Sequence, residues 1–180
     1  MNTLLFNKPY RVLSQFTDAP NHRSSHSARK TLANFIERPQ FYPAGRLDFD
    51  SEGLLLLTND GRLQQRISDP AFKLEKHYWV QVEGTPGPAE LAQLRNGVLL
   101  KDGMTLPARV QLIERPAGLW SRQPPVAEHR EVSSSWLSIA IKEGRNRQVR
   151  RMCAAIGTPV LRLVRHRIGA WSVHLSLIHI

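Results

Sequence analysis

The sequence predicts an α+β fold with a largely antiparallel mixed sheet and flanking helices, on three observations. Segments with strand character outnumber segments with helical periodicity. Most strands are joined by short hairpin-like turns rather than by long crossovers, which favours an antiparallel sheet over a doubly wound parallel one. No internal repeat or linker interrupts the chain. We therefore expect a single domain over residues 1–180, built from two closely joined halves.

The clearest strand begins with the four leucines at residues 54–57, which run into Thr-Asn-Asp-Gly. An apolar run that ends in a tight turn is typical of a strand buried on both faces. In residues 76–84, Tyr78, Val80 and Val82 share one face of a second strand, and the residues between them share the other face. Further strands are predicted at residues 3–6, 98–100, 104–113, 136–141 and 160–164.

Helices are predicted where apolar residues recur at helical spacing. Asn59 or Asp60 can cap a helix that carries Leu63 and Ile67. Thr31 can cap a short helix that begins immediately after Thr31. Residues 88–95 and 147–156 form two more, and residues 114–130 are expected to be a loop. In the last helix, Cys153 falls on the apolar stripe and is predicted to be a core residue.

Composition limits the functional classes. No apolar run approaches the roughly 20 residues that span a bilayer, and the start of the chain lacks the features of a signal peptide. One cysteine allows neither an internal disulfide nor a cysteine-rich zinc site, and the seven histidines show no ligand spacing. We therefore expect a soluble cytoplasmic protein without a metal or a small-molecule cofactor.

The charge predicts a polyanionic partner. The net charge is +10, and seven arginines fall between residues 145 and 167 without an acidic residue among them. Arg147, Arg150 and Arg151 lie at i, i+3 and i+4 of the predicted helix, where they repel one another unless an anion neutralises them. A second basic cluster at residues 22–30 is interpreted equally well as a solvated surface loop or as a loop that contacts RNA.

The acidic stretch 48–52 has three possible interpretations. As a calcium loop it has the glycine at position six, but position twelve is Asn59 instead of a bidentate glutamate. An acidic pair for glycoside hydrolysis is conceivable, although nothing marks a sugar cleft. A nucleophile fits better, because Arg46 favours the ionised form of Asp48 and an ionised carboxylate can attack carbon.

Three motifs in order along the chain resemble those of the RsuA-like family of ribosomal RNA pseudouridine synthases. They are Gly-Arg-Leu-Asp with Ser-Glu-Gly and the leucine run at residues 45–61, the segment at residues 76–84, and Glu-Gly-Arg-Asn-Arg-Gln-Val-Arg-Arg-Met at residues 143–152. Lys8-Pro9 also resembles the opening of this family, and the similarity extends from Leu5 to about Gly169. The resemblance implies the pseudouridine synthase catalytic fold with a central cleft.

The resemblance also implies roles for residues. Asp48 matches the catalytic aspartate, Tyr78 the tyrosine that stacks on the target base, and Arg150 the basic residue that pairs with the aspartate. Without the resemblance, Tyr78 would be interpreted as a core residue. Leu163 matches an apolar residue that packs under the base, and this role is compatible with an ordinary core position. The implied substrate-binding residues are Arg46, Arg145, Asn146, Arg147, Gln148, Arg151, Leu163 and Arg165.

The implied activity is the isomerisation of a uridine to pseudouridine in ribosomal RNA, most closely the 23S rRNA of the large subunit, by a monomer without cofactor or metal. Many family members begin with an S4-type RNA-binding domain, which is not expected here, and residues 172–180 depart from the family and are a candidate non-native tail. Two alternatives stay open. One is an rRNA-binding assembly factor of the same fold without turnover, and the other is a hydrolase, which would release free base.

Overall fold

The protein, in a computed structural model that describes residues 3–18, 28–38, 40–72 and 74–173, has the predicted α+β architecture. The described strands are β1 (Thr3–Lys8), β2 (Tyr42–Pro43), β3 (Glu52–Thr58), β4 (Lys76–Glu83), β5 (Leu99–Leu100), β6 (Gly103–Met104), β7 (Arg109–Ile113), β8 (Ser134–Ile141), β9 (Val160–Ile168) and β10 (Trp171–Ser172). The described helices are α1 (Gly61–Ser68), α2 (Pro88–Asn96), α3 (Glu128–Val132) and α4 (Gln148–Ala155), with 3₁₀ turns at Leu32–Asn34 and Pro70–Phe72.

An eight-stranded sheet has the order β1-β3-β9-β4-β8-β7, with β2 added to β3 and β10 added to β9. Its described strand pairs are antiparallel except for β3 and β9, which run parallel with Glu52 opposite Val164 and Gly53 opposite Arg165. This short parallel contact joins two halves of the sheet, so the predicted mixed, largely antiparallel sheet is confirmed.

The first half is organised around β3, all of whose residues are buried. Leu54 and Leu56 pack in one cluster with α1, and Leu55 and Leu57 pack on the opposite face. The helix α1 begins where predicted, because the Asp60 carboxylate accepts hydrogen bonds from the first backbone N–H groups of the helix. The strand predicted to be buried on both faces is therefore confirmed.

In the second half, α2 and α4 contribute to a core on one face of the sheet. Tyr78 and Val80 of β4 and Leu137 of β8 meet Val149 and Cys153 of α4 in one buried cluster. Burial raises the pKa of Cys153 to about 12, with a minor opposing effect from the charge of Arg150. Cys153 is therefore a core residue, as predicted, and its thiol stays protonated at neutral pH.

Several predicted boundaries are wrong. The strand predicted at 104–113 is divided into β6 and β7, since Pro107 has no N–H to donate to a ladder. The loop predicted at 114–130 extends into the short helix α3. The strand β9 continues to Ile168, and α4 begins at Gln148, one residue later than predicted.

Two predictions fall largely outside the described residues, namely the basic cluster at 22–30 and the tail at 172–180. Of the tail, Ser172 is placed opposite Arg167 in β10. Within the described ranges, no helix has the length and apolar character needed to span a membrane.

The position of β3 in the core gives a prediction. Leu56 is fully buried, so Leu56→Ala should lower the free energy of unfolding by about 2–5 kcal/mol, through lost burial and the cavity left behind. Leu112→Ala on β7 is the matched control, because Leu112 is 49% exposed and its truncation should cost about 1 kcal/mol or less. Urea denaturation measures both values. Equal losses would contradict the central position of β3.

Candidate active site

A cavity of about 540 Å³ is bordered by both halves of the sheet. Its wall is formed by the loop that precedes β3, by the loop that leads into α4, and by residues of β4 and β9. Most of the predicted site residues line it, namely Arg46, Asp48, Tyr78, Arg145, Asn146, Arg147, Gln148, Leu163 and Arg165. Arg150 and Arg151 are not among the lining residues.

The loop that carries Asp48 is fixed on both sides of the aspartate. The Ser14 hydroxyl donates to the Leu47 carbonyl at 2.8 Å and accepts from the Leu47 N–H at 3.1 Å. The Ser51 N–H donates to the Asp48 carbonyl at 3.0 Å, and the Arg11 N–H donates to the Phe49 carbonyl at 2.8 Å. The Asp48 side chain is 34% exposed, so its carboxylate is both held in place and accessible.

A buried lysine, Lys8, supports this loop from the end of β1. It is fully buried, and its ammonium donates to the carbonyl oxygens of Pro9 at 2.9 Å and Val12 at 2.8 Å. Burial lowers the pKa of Lys8 to about 8, against the opposing charges of Glu52 and Asp50. The segment that contains Ser14 is therefore anchored immediately after β1.

Asp50 brings two arginines together beside Asp48. Arg147 donates to both carboxylate oxygens of Asp50, at 2.9 and 2.8 Å, and its Nη1 also lies 3.4 Å from Oδ2 of Asp48. Arg150 donates to the backbone carbonyl of Asp50 at 2.6 Å. Burial would raise the pKa of Asp50, but the hydrogen bonds from Arg147 and the charges of Arg150 and Arg147 outweigh it and hold that pKa below its ordinary value.

The arginine in contact with Asp48 is therefore Arg147 and not Arg150, which corrects the predicted contact. Arg147 adopts a left-handed backbone conformation, φ 48° and ψ 33°, at the residue before α4. Its side chain consequently leaves the helix face that sequence spacing assigns to it and reaches the acidic loop. Arg150 contacts Asp50 and Ser51 instead. Its catalytic role stays a prediction.

The other arginines of the motif hold the β5–β6 hairpin. Arg151 forms a bidentate pair with Asp102 at 2.7 and 3.0 Å. Arg145 donates to the carbonyl oxygens of Gly103 at 3.0 Å and Met104 at 2.7 Å. Arg151 and Arg147 are thus paired with acids distant in sequence, so carboxylates of the chain itself supply anions for these arginines.

Gln148 is a structural member of the same motif. It is 3% exposed, its side-chain oxygen accepts from the Arg145 N–H at 3.0 Å, and its amide donates to Glu143 at 2.5 Å. These bonds fix the turn that places Arg147. Two predicted RNA-binding residues, Asn146 and Arg46, are exposed at the cavity.

The floor of the cavity comes from β4 and β9. Tyr78 and Leu163 are 8% and 5% exposed, and Tyr78 lies opposite Arg165 in the strand register. The buried Arg165 donates to the Leu54 carbonyl at 2.9 Å and to the Arg46 carbonyl at 3.3 Å. Tyr78 and Leu163 are therefore core residues that also border the site.

Sequence reasoning missed two residues of this site, Asp50 and Lys76. Lys76 lines the cavity two residues before Tyr78 on the same face of β4. The alternation that places Tyr78 at the cavity also predicts this position of Lys76. Nothing in the local sequence predicts that Asp50 pairs with Arg147, which is 97 residues away.

The described part of the chain contains no group of three or more His, Cys, Asp or Glu side chains placed to hold a metal ion. The functional groups that border the cavity are a carboxylate, a phenol, two amides, serine hydroxyls and several cations. Such a set can orient a polyanionic ligand, act on a carbon centre through the carboxylate, and stabilise developing negative charge.

Comparisons with known proteins agree with this geometry. A family model described as RNA pseudouridylate synthase matches residues 2–155. The chain is 56% identical over 170 residues to ribosomal large subunit pseudouridine synthase E of Xanthomonas campestris pv. campestris, covering 94% of this chain and 88% of that protein. The same enzyme of Vibrio vulnificus is 55% identical over 170 residues, covering 94% of this chain and 69% of the relative.

A solved structure described as a pseudouridylate synthase matches with a TM-score of 0.75 at 28% identity. The match covers 95% of this chain, and the chain spans 64% of that structure's length. The resemblance and the fold predicted from the sequence are confirmed by these matches.

The base of the site rests on a buried ion pair, which gives a second prediction. Glu52 and Arg162 are 2% and 5% exposed and share two hydrogen bonds of 2.9 Å. Glu52→Gln should cost about 3–5 kcal/mol of unfolding free energy, because it leaves Arg162 as a buried, unneutralised charge. Glu83→Gln is the control, since Glu83 and its partner Arg130 are 39% and 43% exposed and such a pair contributes about 0–1 kcal/mol. Similar losses in thermal or urea denaturation would contradict the buried-pair assignment.

Proposed function

The chain belongs to the RNA pseudouridylate synthase family, and from this premise we propose that it converts one uridine of the large-subunit 23S rRNA to pseudouridine. The relatives that are 55% and 56% identical are named for the large ribosomal subunit. One observation carries the proposal. Asp48 presents an accessible carboxylate, on a backbone fixed from both sides, to a cavity that Tyr78 and Leu163 also line.

The reaction breaks the bond between ribose C1′ and uracil N1, turns the detached base, and joins C1′ to C5. Asp48 acts on the ribose, either as the nucleophile at C1′ or as the base that removes a proton from the sugar. Tyr78 positions the uracil by stacking and can serve in proton transfer, and Leu163 packs beneath the base. Orientation within the cavity and fixed charges supply the acceleration, without a cofactor.

The RNA is bound by the basic residues at the cavity. Arg46 and Asn146 are exposed there, and Arg147 is 43% exposed. A net charge of +10 favours association with the phosphate backbone. Two further predicted RNA contacts, Arg145 and Arg151, position the hairpin that flanks this surface.

We also propose that the protein works in the cytoplasm, on rRNA during ribosome biogenesis, and as a monomer. The support for a monomer is that the carboxylate, the tyrosine and the basic residues of the proposed site all belong to this chain.

Asp48→Asn tests the catalytic carboxylate. The variant should keep its fold and RNA affinity and retain less than about 1% of wild-type turnover, because the loss of a catalytic group costs several kcal/mol of transition-state stabilisation. The measurement is chemical mapping of pseudouridine in an unmodified 23S rRNA transcript, together with binding by filter retention.

Asp69→Asn is the control, because Asn can keep the acceptor bond that the Asp69 side chain makes with the Ala71 N–H. Turnover above 1% in Asp48→Asn would mean that another group performs the chemistry. RNA binding by the wild-type protein without any pseudouridine would instead support an assembly factor.

A comparison of Arg46, Arg147 and Arg150 tests the division between binding and chemistry. Arg46→Gln should make the slope of log K against log salt shallower by about one unit or less and leave the saturated single-turnover rate within about threefold. Arg147→Gln should lower that rate by about tenfold or more, since its guanidinium contacts Asp48 at 3.4 Å. A larger rate loss in Arg150→Gln than in Arg147→Gln would restore the pairing implied by the resemblance.

A further inference from the structure

A cationic pair lies at the floor of the cavity, on the strands that also carry Tyr78 and Leu163. Lys76 of β4 and Arg165 of β9 both line the cavity. Lys76 precedes Tyr78 by two residues on the same face, and Arg165 lies opposite Tyr78 in the register. The two cations therefore flank the tyrosine on which the base is expected to stack.

Arg165 is only partly satisfied. It is 4% exposed, and its Nε and Nη1 donate to backbone carbonyl oxygens, whereas Nη2 is buried without a hydrogen-bond partner among the described residues. A buried cation with an unused donor is costly unless an anion or a strong acceptor approaches it. Both Arg165 bonds are to neutral groups, so its charge is not offset by them.

Lys76 also has unused hydrogen-bond donors and a charge that no described carboxylate offsets. Its ammonium donates to the Leu74 carbonyl at 3.2 Å, and an ammonium has three donors. No carboxylate among the described residues offsets its charge. Burial, and then the neighbouring charge of Arg165, lower the pKa of Lys76. The ammonium lies close to Gly144, on the loop that leads into α4.

The chemistry of the reaction supplies an anion. When the bond between C1′ and N1 breaks, its electron pair leaves with the uracil, and the negative charge is shared by the ring nitrogen and the two carbonyl oxygens. Asp48 meanwhile either bonds to C1′ or takes a proton from the ribose. In the first case C5 displaces the Asp48 carboxylate from C1′, and in the second C5 bonds to C1′ while Asp48 returns its proton to the ribose. C5 then loses its proton and N1 takes one up, so the product is an isomer of the substrate.

We propose that Lys76 and Arg165 bind the carbonyl oxygens of the target uracil and stabilise the uracil anion after it leaves the ribose. This inference rests on the proposed function and assigns to both cations the stabilisation of the leaving base. The cavity then has opposite charges for the two products of bond cleavage, with a carboxylate for the sugar and two cations for the base.

The test uses Lys76, because Arg165 is bonded into the sheet and its variants can misfold. In single-turnover reactions on the unmodified 23S rRNA transcript, Lys76→Met should lower the rate by about 10²-fold, as the loss of one donor to a developing anion does. The affinity for the transcript should change by no more than about threefold. Lys101→Met removes one charge from an exposed lysine and is the control. A rate for Lys76→Met within twofold of Lys101→Met would overturn the proposal.

The pH profile distinguishes a catalytic from a structural role. Lys76 acts in its protonated form, so wild-type activity should fall as the pH rises through its lowered pKa. Lys76→Arg should retain most of the rate and move this alkaline limb upward, because arginine stays charged. The other ionisable or charged groups that border the cavity are unchanged in this comparison, namely Arg46, Asp48, Tyr78, Arg145, Arg147 and Arg165. Identical alkaline limbs would contradict the proposal.

Anion binding is measured separately by NMR titration with 5-nitrouracil, which is ionised near neutral pH, and with neutral uracil. The wild-type protein should prefer the anion, and Lys76→Met should lose the preference. Absence of a preference in the wild type overturns the inference even if pseudouridine is formed. Anion preference without pseudouridine on the 23S rRNA transcript would contradict the proposed function alone.

Discussion

The site depends on the close approach of β3 and β9 at Gly53 and Arg165, the parallel contact between the two halves of the sheet. Gly53 has φ +100°, and a β-carbon there would collide with the backbone carbonyl of Arg165, so only glycine is accommodated. Because Asp48 precedes β3 by a few residues, this contact sets its distance from the β9 side chains. Arg165 strengthens the contact by donating to the Leu54 and Arg46 carbonyls.

The ion pair between Glu52 and Arg162, beside this contact, has its main effect on the register of β3. Two charges removed from water cost several kcal/mol to desolvate, so the attraction between Glu52 and Arg162 adds little net stability. The Trp120 indole N–H donates to the Glu52 carboxylate, and the Arg162 guanidinium donates to the Trp120 carbonyl, both at 2.9 Å. A slip of one residue in β3 would turn Glu52 to the other face and separate the charges. The pair therefore penalises the registers that would misplace Asp48.

The local sequence predicted those elements that depend on residues close together in the chain. The leucine strand, the Asp60 cap and the face shared by Tyr78 and Val80 follow from periodicity and capping, and the structure has them. The left-handed conformation of Arg147 could not be predicted, because a non-glycine residue adopts it only where surrounding contacts compensate for the strain. The ion pairs of Asp50 and Asp102 with the arginine motif were missed because they join segments far apart in sequence.

These contacts explain how a strongly basic protein can keep one carboxylate available. Arg147 donates both of its side-chain hydrogen bonds to Asp50, the shorter at 2.8 Å, and only approaches Asp48, at 3.4 Å. Arg150 is likewise held by Asp50 and Ser51. Asp48 thus has a nearby cation without being enclosed in a bidentate pair. A carboxylate in that position is oriented, and it retains oxygen lone pairs with which to act on a bound ribose.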